Sequence, residues 1–308
     1  VGVVGQVGEL HRVSMPDDPW PVGTRAAVGV DDRGRRARLT GRMRPRNLRD
    51  PSDIEGARRV ETLRHEIAVA CRVMAQRGLV EDILGHISVR VDDEHLLIRC
   101  RGPREAGLRF TEAGDIHRVS LAEGRLVDDG GAGHAPPAEL PIHTSVYRAR
   151  PDVSCVVHAH PPDVVVASLA GVPLVPLVGA YNIPASRLAV DGIPTHPRSV
   201  LLRTEALADE MAATLGRAAA VVLVGHGLVT TGSSVAEATL RALHVDTLAR
   251  IGLGVERAGA TVQPIPAADL AELPDLGSGF NEDTLWRHHV RSLEAAGLGI
   301  APPTKATP

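Results

Sequence analysis

The chain has 308 residues, 34 Lys and Arg against 37 Asp and Glu, a formal net charge of −3 and 44% hydrophobic residues. This length suits one large domain or two small ones and can bury a sizeable core. The nearly balanced charge gives no electrostatic basis for binding nucleic acid or an anionic membrane surface. Aromatic residues make up 2% of the chain, so stacking platforms for single-stranded nucleic acid are not expected.

Lysine usage excludes several enzyme classes. Lys305 is the single lysine, and it lies in the Pro- and Thr-rich sequence PPTKATP near the C-terminus. Schiff-base chemistry needs a lysine amine in a desolvated pocket, which such a segment does not readily supply. We therefore expect neither a lysine-imine aldolase nor a pyridoxal-phosphate enzyme, nor a P-loop nucleotidase. Arginine remains abundant for binding carboxylates or phosphates.

The cysteines and the apolar segments indicate a compartment. Cys71, Cys100 and Cys155 are odd in number and form no CxxC motif, which favours reduced thiols in a reducing compartment. No apolar stretch approaches the roughly 20 residues that span a bilayer, and the N-terminal sequence does not resemble a secretory signal. The sequence predicts a soluble cytoplasmic protein with no membrane partner.

In chain order, an extension precedes an alternating pattern of helices and strands. Residues 1–52 are rich in Arg, Gly, Pro and Asp and are predicted to be poorly ordered. Apolar periodicity then predicts a helix at 55–77, strands at 85–91 and 95–100, a helix at 138–149, a strand at 153–160, helices at 162–170 and 204–217, a strand at 218–224 and helices at 233–253 and 281–296. This alternation predicts an α/β catalytic domain at 53–260, followed by a C-terminal helix and tail at 261–308.

A histidine pair is the first candidate for chemistry. His158 and His160 lie two residues apart in DVSCVVHAHPP, at the end of a predicted strand. Alternation along a strand places both imidazoles on one face. Two explanations remain open: both residues are hydrogen-bonded core histidines, or both bind a metal ion through neutral imidazole nitrogens. Two core histidines would each need a buried partner, whereas one ion satisfies both.

Two further residues can complete a metal site. His226 stands between two glycines after the predicted strand 218–224; a tight turn explains the glycines but not the histidine. Glu139 opens a predicted helix in PPAELPIH. Either it interacts with the helix dipole, or its carboxylate returns to the strand that ends in His158. There it can ligate a metal or transfer protons.

These motifs in this order resemble the class II aldolase/adducin-head family, over roughly residues 57–260. The resemblance rests on GHISVR, then Glu139, then HAHPP, then GHG. It implies a three-layer α/β/α sandwich with a mixed, largely antiparallel sheet, and homotetramers with active sites at subunit contacts. By this resemblance His158, His160 and His226 bind one divalent metal per subunit, and Glu139 is a catalytic acid/base that can also touch the ion. Zn²⁺ or Mn²⁺ is expected, with Fe²⁺ and Co²⁺ as further candidates.

Departures from the family pattern bear on the substrate. The segments that cradle phosphate in its sugar-phosphate aldolases read here as 85–88 (GHIS), 101–103 (RGP) and 137–138 (PA). Proline lacks a backbone N–H, so an anion nest is not expected. Arg101 and Arg104 instead offer bidentate donors that suit carboxylates, although solvated loop charges remain an alternative. This pattern is similar to the family's decarboxylase branch, which acts on hydroxylated aromatic dicarboxylates such as dihydroxyphthalate.

The remaining candidates extend this site. His86 is a second candidate for proton delivery, with a hydrogen bond at the strand end as its alternative role. Ser88 and Tyr181 complete the predicted substrate-binding set, although Tyr181 can equally fill an apolar gap. The other histidines considered are interpreted as surface or packing residues: His143, His196, His288 and His289.

The leading hypothesis is a metal-dependent decarboxylase of a hydroxylated aromatic dicarboxylate. The metal would stabilise the carbanion, and an acid would protonate it. A class II aldolase that cleaves a sugar phosphate or sugar acid is the alternative, because both reactions stabilise a carbanion. A non-catalytic scaffold like the adducin head is the third hypothesis, and it is disfavoured because the metal ligands are retained.

Overall fold

Seven strands form one sheet in the part of the chain that this computed structural model describes, residues 51–128, 133–277 and 279–303. They are β1 (His86–Arg90), β2 (His95–Arg99), β3 (Ile116–Ser120), β4 (Cys155–Ala159), β5 (Thr195–His196), β6 (Ala220–Leu223) and β7 (Gly227–Gly232). Their order across the sheet is β3-β2-β1-β4-β7-β6-β5. Only the β5–β6 pair is parallel within the described sheet. The predicted mixed, largely antiparallel sheet is confirmed.

Helices precede, interrupt and follow these strands. In the described ranges they are α1 (Pro51–Gln76), α2 (Leu140–Ala149), α3 (Pro162–Ala170), α4 (Ile183–Leu188), α5 (Glu205–Leu215), α6 (Val235–Arg257), α7 (Ala267–Glu272) and α8 (Trp286–Ala295). A π-helical segment, Gly279–Leu285, leads into α8. None of these helices combines the length and apolar character needed to cross a bilayer.

The sheet lies between two layers of helices. Side chains alternate along each strand, so Val157 of β4 faces one layer and Val156 faces the other. The Val157 side packs in one core cluster with residues of α1, α3, α4 and α6. The Val156 side packs in a second cluster with residues of α2 and α5. The predicted three-layer α/β/α sandwich is therefore confirmed.

Three strands, β3, β5 and β7, were not predicted from the sequence pattern. The β7 segment begins and ends with glycine, and no strand was predicted there. It nevertheless pairs with β4 on one side and β6 on the other, and this pairing makes it a central strand. The first helix begins at Pro51 rather than 55. Residues 1–50 of the predicted N-terminal extension, 1–52, lie outside the described part of the chain.

Strand register brings the candidate residues to one edge of the sheet. His86 of β1 pairs directly with His158 of β4, and Val229 of β7 lies opposite His158 on the other side. Ser88 pairs with Ile98, so the end of β2, followed by Arg101, reaches the same edge. The turn from β6 to β7 carries His226 there as well.

Candidate metal centre

His158 lies fully buried on β4, facing α2. Its Nδ1 donates a hydrogen bond to the Leu228 carbonyl at 2.9 Å. This bond fixes the tautomer, so Nε2 keeps a free lone pair. A histidine held in this way through one nitrogen presents the other to a metal.

His160 follows β4 directly and lies beside His158. The Nε2 atoms of the two rings are 2.7 Å apart, and the His160 amide donates to the Leu79 carbonyl at 3.0 Å. The expectation that the His-Ala-His step places both rings together is met. Burial, together with His158 and His226, lowers the pKa of His160 to about 3, so this ring is neutral, as metal ligation requires.

His226 reaches the same point from the tight turn between β6 and β7. Gly225 adopts a φ of 61° in this turn, a conformation that favours glycine. The His226 ring centroid lies 4.9 Å from that of His158 and 4.8 Å from that of His160. Three imidazoles from two parts of the chain therefore meet at one place.

Glu139 supplies a carboxylate to the cluster. It is the N-cap residue of α2, but its side chain does not cap the helix. Instead the carboxylate lies 3.4 Å from His158 Nε2 and 3.6 Å from His226 Nε2, and it accepts a hydrogen bond from the Leu202 amide at 2.8 Å. The Glu139 side chain therefore contacts the histidines and not the end of the helix, which agrees with the second of the two interpretations.

These four side chains fit a divalent cation. One ligand atom from each lies within 4.8 Å of every other. A tetrahedral ion with bonds of about 2.0–2.1 Å holds its ligand atoms roughly 3.3 Å apart, close to the separations of Glu139 from His158 and from His226. Burial opposes ionisation of Glu139, but contact with His158 and His226 outweighs it and holds the pKa of Glu139 well below its ordinary value. Imidazole nitrogens and a carboxylate oxygen are donors that zinc and similar divalent ions accept.

Gly227 allows β4 and β7 to approach each other beside the histidines. A Cβ at this position would lie 2.2 Å from the Ala159 carbonyl oxygen and 3.0 Å from His160 Cδ2. We predict that Gly227→Ala lowers the free energy of unfolding by about 1–3 kcal/mol or more, because backbone must move to admit the methyl group. It should also displace His160 and weaken metal binding. Denaturant unfolding and metal titration measure both effects.

Gly254→Ala is the matched control for that substitution. Gly254 lies on α6, and a Cβ there meets nothing within 4 Å. We expect the control to leave metal binding unchanged and to raise stability by about 0.5–1 kcal/mol, since alanine is the better helix former. Equal unfolding free energies for both variants would contradict the proposed close approach.

His86 lies beside the cluster within a buried polar chain, defined here as His86, His143, Ser88 and Tyr147. The His86 and His158 ring centroids are 4.9 Å apart. Ser88 is fully buried and hydrogen-bonds to His143 and Tyr147. A substrate cannot reach its hydroxyl, so the predicted substrate-binding role of Ser88 does not agree with the structure. His143 is likewise fully buried. The sequence pattern indicated a surface or packing residue, and the structure places His143 in a buried hydrogen-bonded chain on the same helix face as Tyr147, four residues later.

Arg101 lies at the cluster's edge of the sheet, and Arg104 lies in the exposed loop that follows. The Arg101 backbone exchanges two 2.9 Å hydrogen bonds with Ala135, four residues before Glu139. This bridge ties the strand end carrying Arg101 to the segment carrying Glu139. Both arginine side chains are exposed.

Tyr181 and the other histidines lie apart from the cluster. Tyr181 is 72% exposed and lines a cavity with Asn182 and His244. It therefore does not fill an apolar gap in the core. His196 is buried and bonded to Thr214, and the rings of His288 and His289 pack against each other on α8.

The sequence of the chain matches a known protein family and two proteins with named activities. Residues 65–253 match the family model described as Class II Aldolase and Adducin N-terminal domain. The chain is 51% identical over 238 residues to 3,4-dihydroxyphthalate decarboxylase of Arthrobacter keyseri, covering 76% of this chain and 94% of that protein. It is 44% identical over 244 residues to the protein of the same name from Rhodococcus jostii, covering 78% and 96%.

A solved structure supports the same assignment. The crystal structure of an aldolase II superfamily protein from Pseudomonas syringae matches with a TM-score of 0.66 and 25% identity, covering 77% of this chain and 94% of that one. The family model, over residues 65–253, includes the strand and the turn that carry the three histidines. The chain belongs to the class II aldolase and adducin N-terminal domain family, in the branch that contains these decarboxylases.

Proposed function

We propose that this protein is a divalent-metal-dependent decarboxylase of a hydroxylated aromatic dicarboxylate, with a substrate like 3,4-dihydroxyphthalate. The observation that carries the proposal is the convergence of Glu139, His158, His160 and His226 within 4.8 Å. Identity of 44–51% to named 3,4-dihydroxyphthalate decarboxylases supports the substrate class. Lysine-based chemistry has no residue to perform it within the described ranges, because the single lysine is Lys305.

The residues of the chain divide the chemistry between them. His158, His160 and His226 would hold the ion, which when bound supplies Lewis-acid stabilisation of negative charge on the ring. Glu139, a carboxylate at rest, would accept the proton of a substrate hydroxyl. The bond between the ring carbon and the departing carboxylate then breaks, its electron pair stays on the ring and CO₂ leaves. Glu139 returns its proton to that carbon, which balances the reaction.

Arginines would hold the carboxylate that is not lost. Arg101 and, on the adjoining loop, Arg104 offer planar guanidinium groups that bind a carboxylate through two parallel hydrogen bonds. The position of Arg101 at the metal edge of the sheet supports this role. Tyr181 lies on the surface, apart from the metal centre of its own subunit. It would therefore contact substrate only in the active site of a neighbouring subunit.

Product analysis tests the proposed reaction. Metal-loaded protein is incubated with a panel of hydroxylated aromatic dicarboxylates and, separately, with sugar phosphates such as fuculose 1-phosphate. We expect CO₂ and the decarboxylated phenol from the first panel and no aldehyde from the second. Aldol cleavage without CO₂ release would favour the sugar-phosphate aldolase instead. Neither product from metal-loaded protein would favour a scaffold.

The arginine role makes a separate kinetic prediction. Arg101→Ala should raise KM about 10–100-fold with a smaller change in kcat, because a charge-assisted hydrogen bond contributes about 1.5–3 kcal/mol. Arg101→Lys keeps the charge but loses the bidentate geometry, so it should recover only part of the affinity. Arg125→Ala is the control, since Arg125 is exposed and pairs with Glu123. An unchanged KM in Arg101→Ala would exclude this contact.

The assembly, the metal and the compartment complete the proposal. Leu169, Val200 and Leu201 are exposed, and the Leu169 side chain lies beside Gly225, the residue before His226; exposed apolar side chains near the site support a homotetramer with subunit contacts there. Zn²⁺ or Mn²⁺ suits the imidazole and carboxylate donors. Three buried free cysteines support a cytoplasmic location. The catalytic domain would span 53–260.

A further inference from the structure

The buried polar chain runs from the metal edge of the sheet into the core between β1 and α2. His86 Nδ1 lies 2.7 Å from His143 Nε2, and His143 Nδ1 lies 2.6 Å from Ser88 Oγ. Ser88 Oγ in turn lies 2.8 Å from the Tyr147 hydroxyl. All four residues are 5% exposed or less. Because water does not reach these polar groups, each donor in the chain must find its acceptor within the protein, and the direction of one hydrogen bond constrains the next.

The far end of the chain fixes the direction of its hydrogen bonds. The Tyr147 hydroxyl can donate its proton to either of two acceptors, Ser88 Oγ at 2.8 Å or the Ser154 carbonyl oxygen at 3.4 Å. The bond to Ser88 is much the shorter and therefore the stronger of the two, and the Ser154 carbonyl also accepts the Arg90 amide at 2.8 Å. Burial holds the pKa of Tyr147 well above its ordinary value, and the hydroxyl keeps its proton.

The remaining bonds follow from this first one. Ser88, once it accepts from Tyr147, donates its own proton to His143 Nδ1. Burial lowers the pKa of His143 to about 3, so His143 is neutral and carries its one proton on Nε2. That nitrogen donates to His86 Nδ1, which leaves His86 with its proton on Nε2.

We propose that His143 is a positioning residue that, with Ser88 and Tyr147, holds His86 as the neutral tautomer protonated on Nε2. His86 then donates a hydrogen bond to an oxygen of the aromatic carboxylate bound at the metal edge. A neutral imidazole that donates in this way stabilises developing negative charge without transferring its proton. The nature of the acceptor rests on the proposed function; the tautomer does not.

Nitrogen chemical shifts of the histidine rings test the tautomer without any substrate. Full-length, zinc-loaded protein is labelled with ¹⁵N-histidine, and the His86 signals are assigned by their loss in His86→Gln. We expect an unprotonated Nδ1 and a protonated Nε2 for His86. In Ser88→Ala, which removes the donor to His143, the His86 signals should move toward the other tautomer. A His86 protonated on Nδ1 in the unaltered protein overturns the proposal.

Kinetics then separates positioning from stability. Ser88→Ala should lower kcat about 10-fold with KM nearly unchanged, in line with losses at other supporting hydrogen bonds. Ser186→Ala is the control, because Ser186 is equally buried and lies on α4; it should change neither kcat nor the His86 signals. His143→Gln should retain more activity than His143→Leu, since the amide can still donate to His86 Nδ1.

Failure of this inference is distinguishable from failure of the proposed function. If no aromatic dicarboxylate releases CO₂, the proposed function fails, and the ¹⁵N shifts still decide the tautomer. If CO₂ is released but Ser88→Ala matches Ser186→Ala in kcat or in the His86 signals, the positioning role is overturned.

Discussion

Replacing His226 with alanine should reduce metal affinity about 100-fold or more and abolish measurable decarboxylation at equimolar metal. Binding of a structural zinc ion by four ligands is worth about 10–16 kcal/mol, so one ligand contributes roughly 3 kcal/mol. His226 is the most informative of the three histidines because it lies in a turn and is partly exposed. Its removal should spare the sheet, whereas the fully buried His158 also bonds to the Leu228 carbonyl. Competition with a chelator measures the affinity.

His95→Ala is the matched control for that experiment. His95 begins β2 and pairs with Asp92 at the surface, where such a pair contributes about 0–1 kcal/mol. We expect this variant to bind metal and release CO₂ as the unaltered protein does. His226→Ala with undiminished metal content after gel filtration would contradict the assignment of His226 as a ligand.

Glu139→Gln should lower kcat about 10²–10⁴-fold even at saturating metal, because the amide can neither accept nor return a proton. The substitution is nearly isosteric, and its carbonyl oxygen can still accept the Leu202 amide hydrogen bond. Loss of activity therefore cannot come from an unsatisfied buried N–H, a defect that would cost about 1–3 kcal/mol. Steady-state CO₂ release across metal concentrations separates this chemical effect from weaker metal binding.

Glu237→Gln serves as the control for the carboxylate. Glu237 also accepts a backbone hydrogen bond, from the Ser233 amide at 2.6 Å, but it lies on α6 outside the metal centre. It should retain normal kcat. If Glu139→Gln retains full activity once metal is saturating, Glu139 is a metal ligand without a role in proton transfer.

The sequence predicted the residues of the candidate metal centre because local patterns determine where each one lies. His158 and His160 follow a run of buried β-branched residues, and two-residue alternation places both on one face. Gly225 and Gly227 mark the turn that presents His226. Glu139 precedes a proline-containing helix start. In each case a short segment sets the direction of the side chain, and the edge of one sheet brings the segments together.

Roles that depend on packing between distant segments were not predicted: Ser88 was expected to bind substrate, and no hydrogen bond between it and His143 was expected. Ser88 and His143 lie 55 positions apart and meet only because α2 packs on the face of β1. Strand β7 is short and has glycine at both ends, and its place as a central strand comes from pairing with β4 and β6 on either side. The surroundings of Tyr181 likewise depend on contacts that no local pattern encodes.

The central claim, that one ion held by three imidazoles and a carboxylate enables decarboxylation, is tested by titrating metal back into chelator-treated protein. The account predicts that CO₂ release from a dihydroxyphthalate is lost on chelation. It should then rise with added Mn²⁺ or Zn²⁺ and stop rising at about one ion per chain. CO₂ release that survives complete removal of the metal would contradict it.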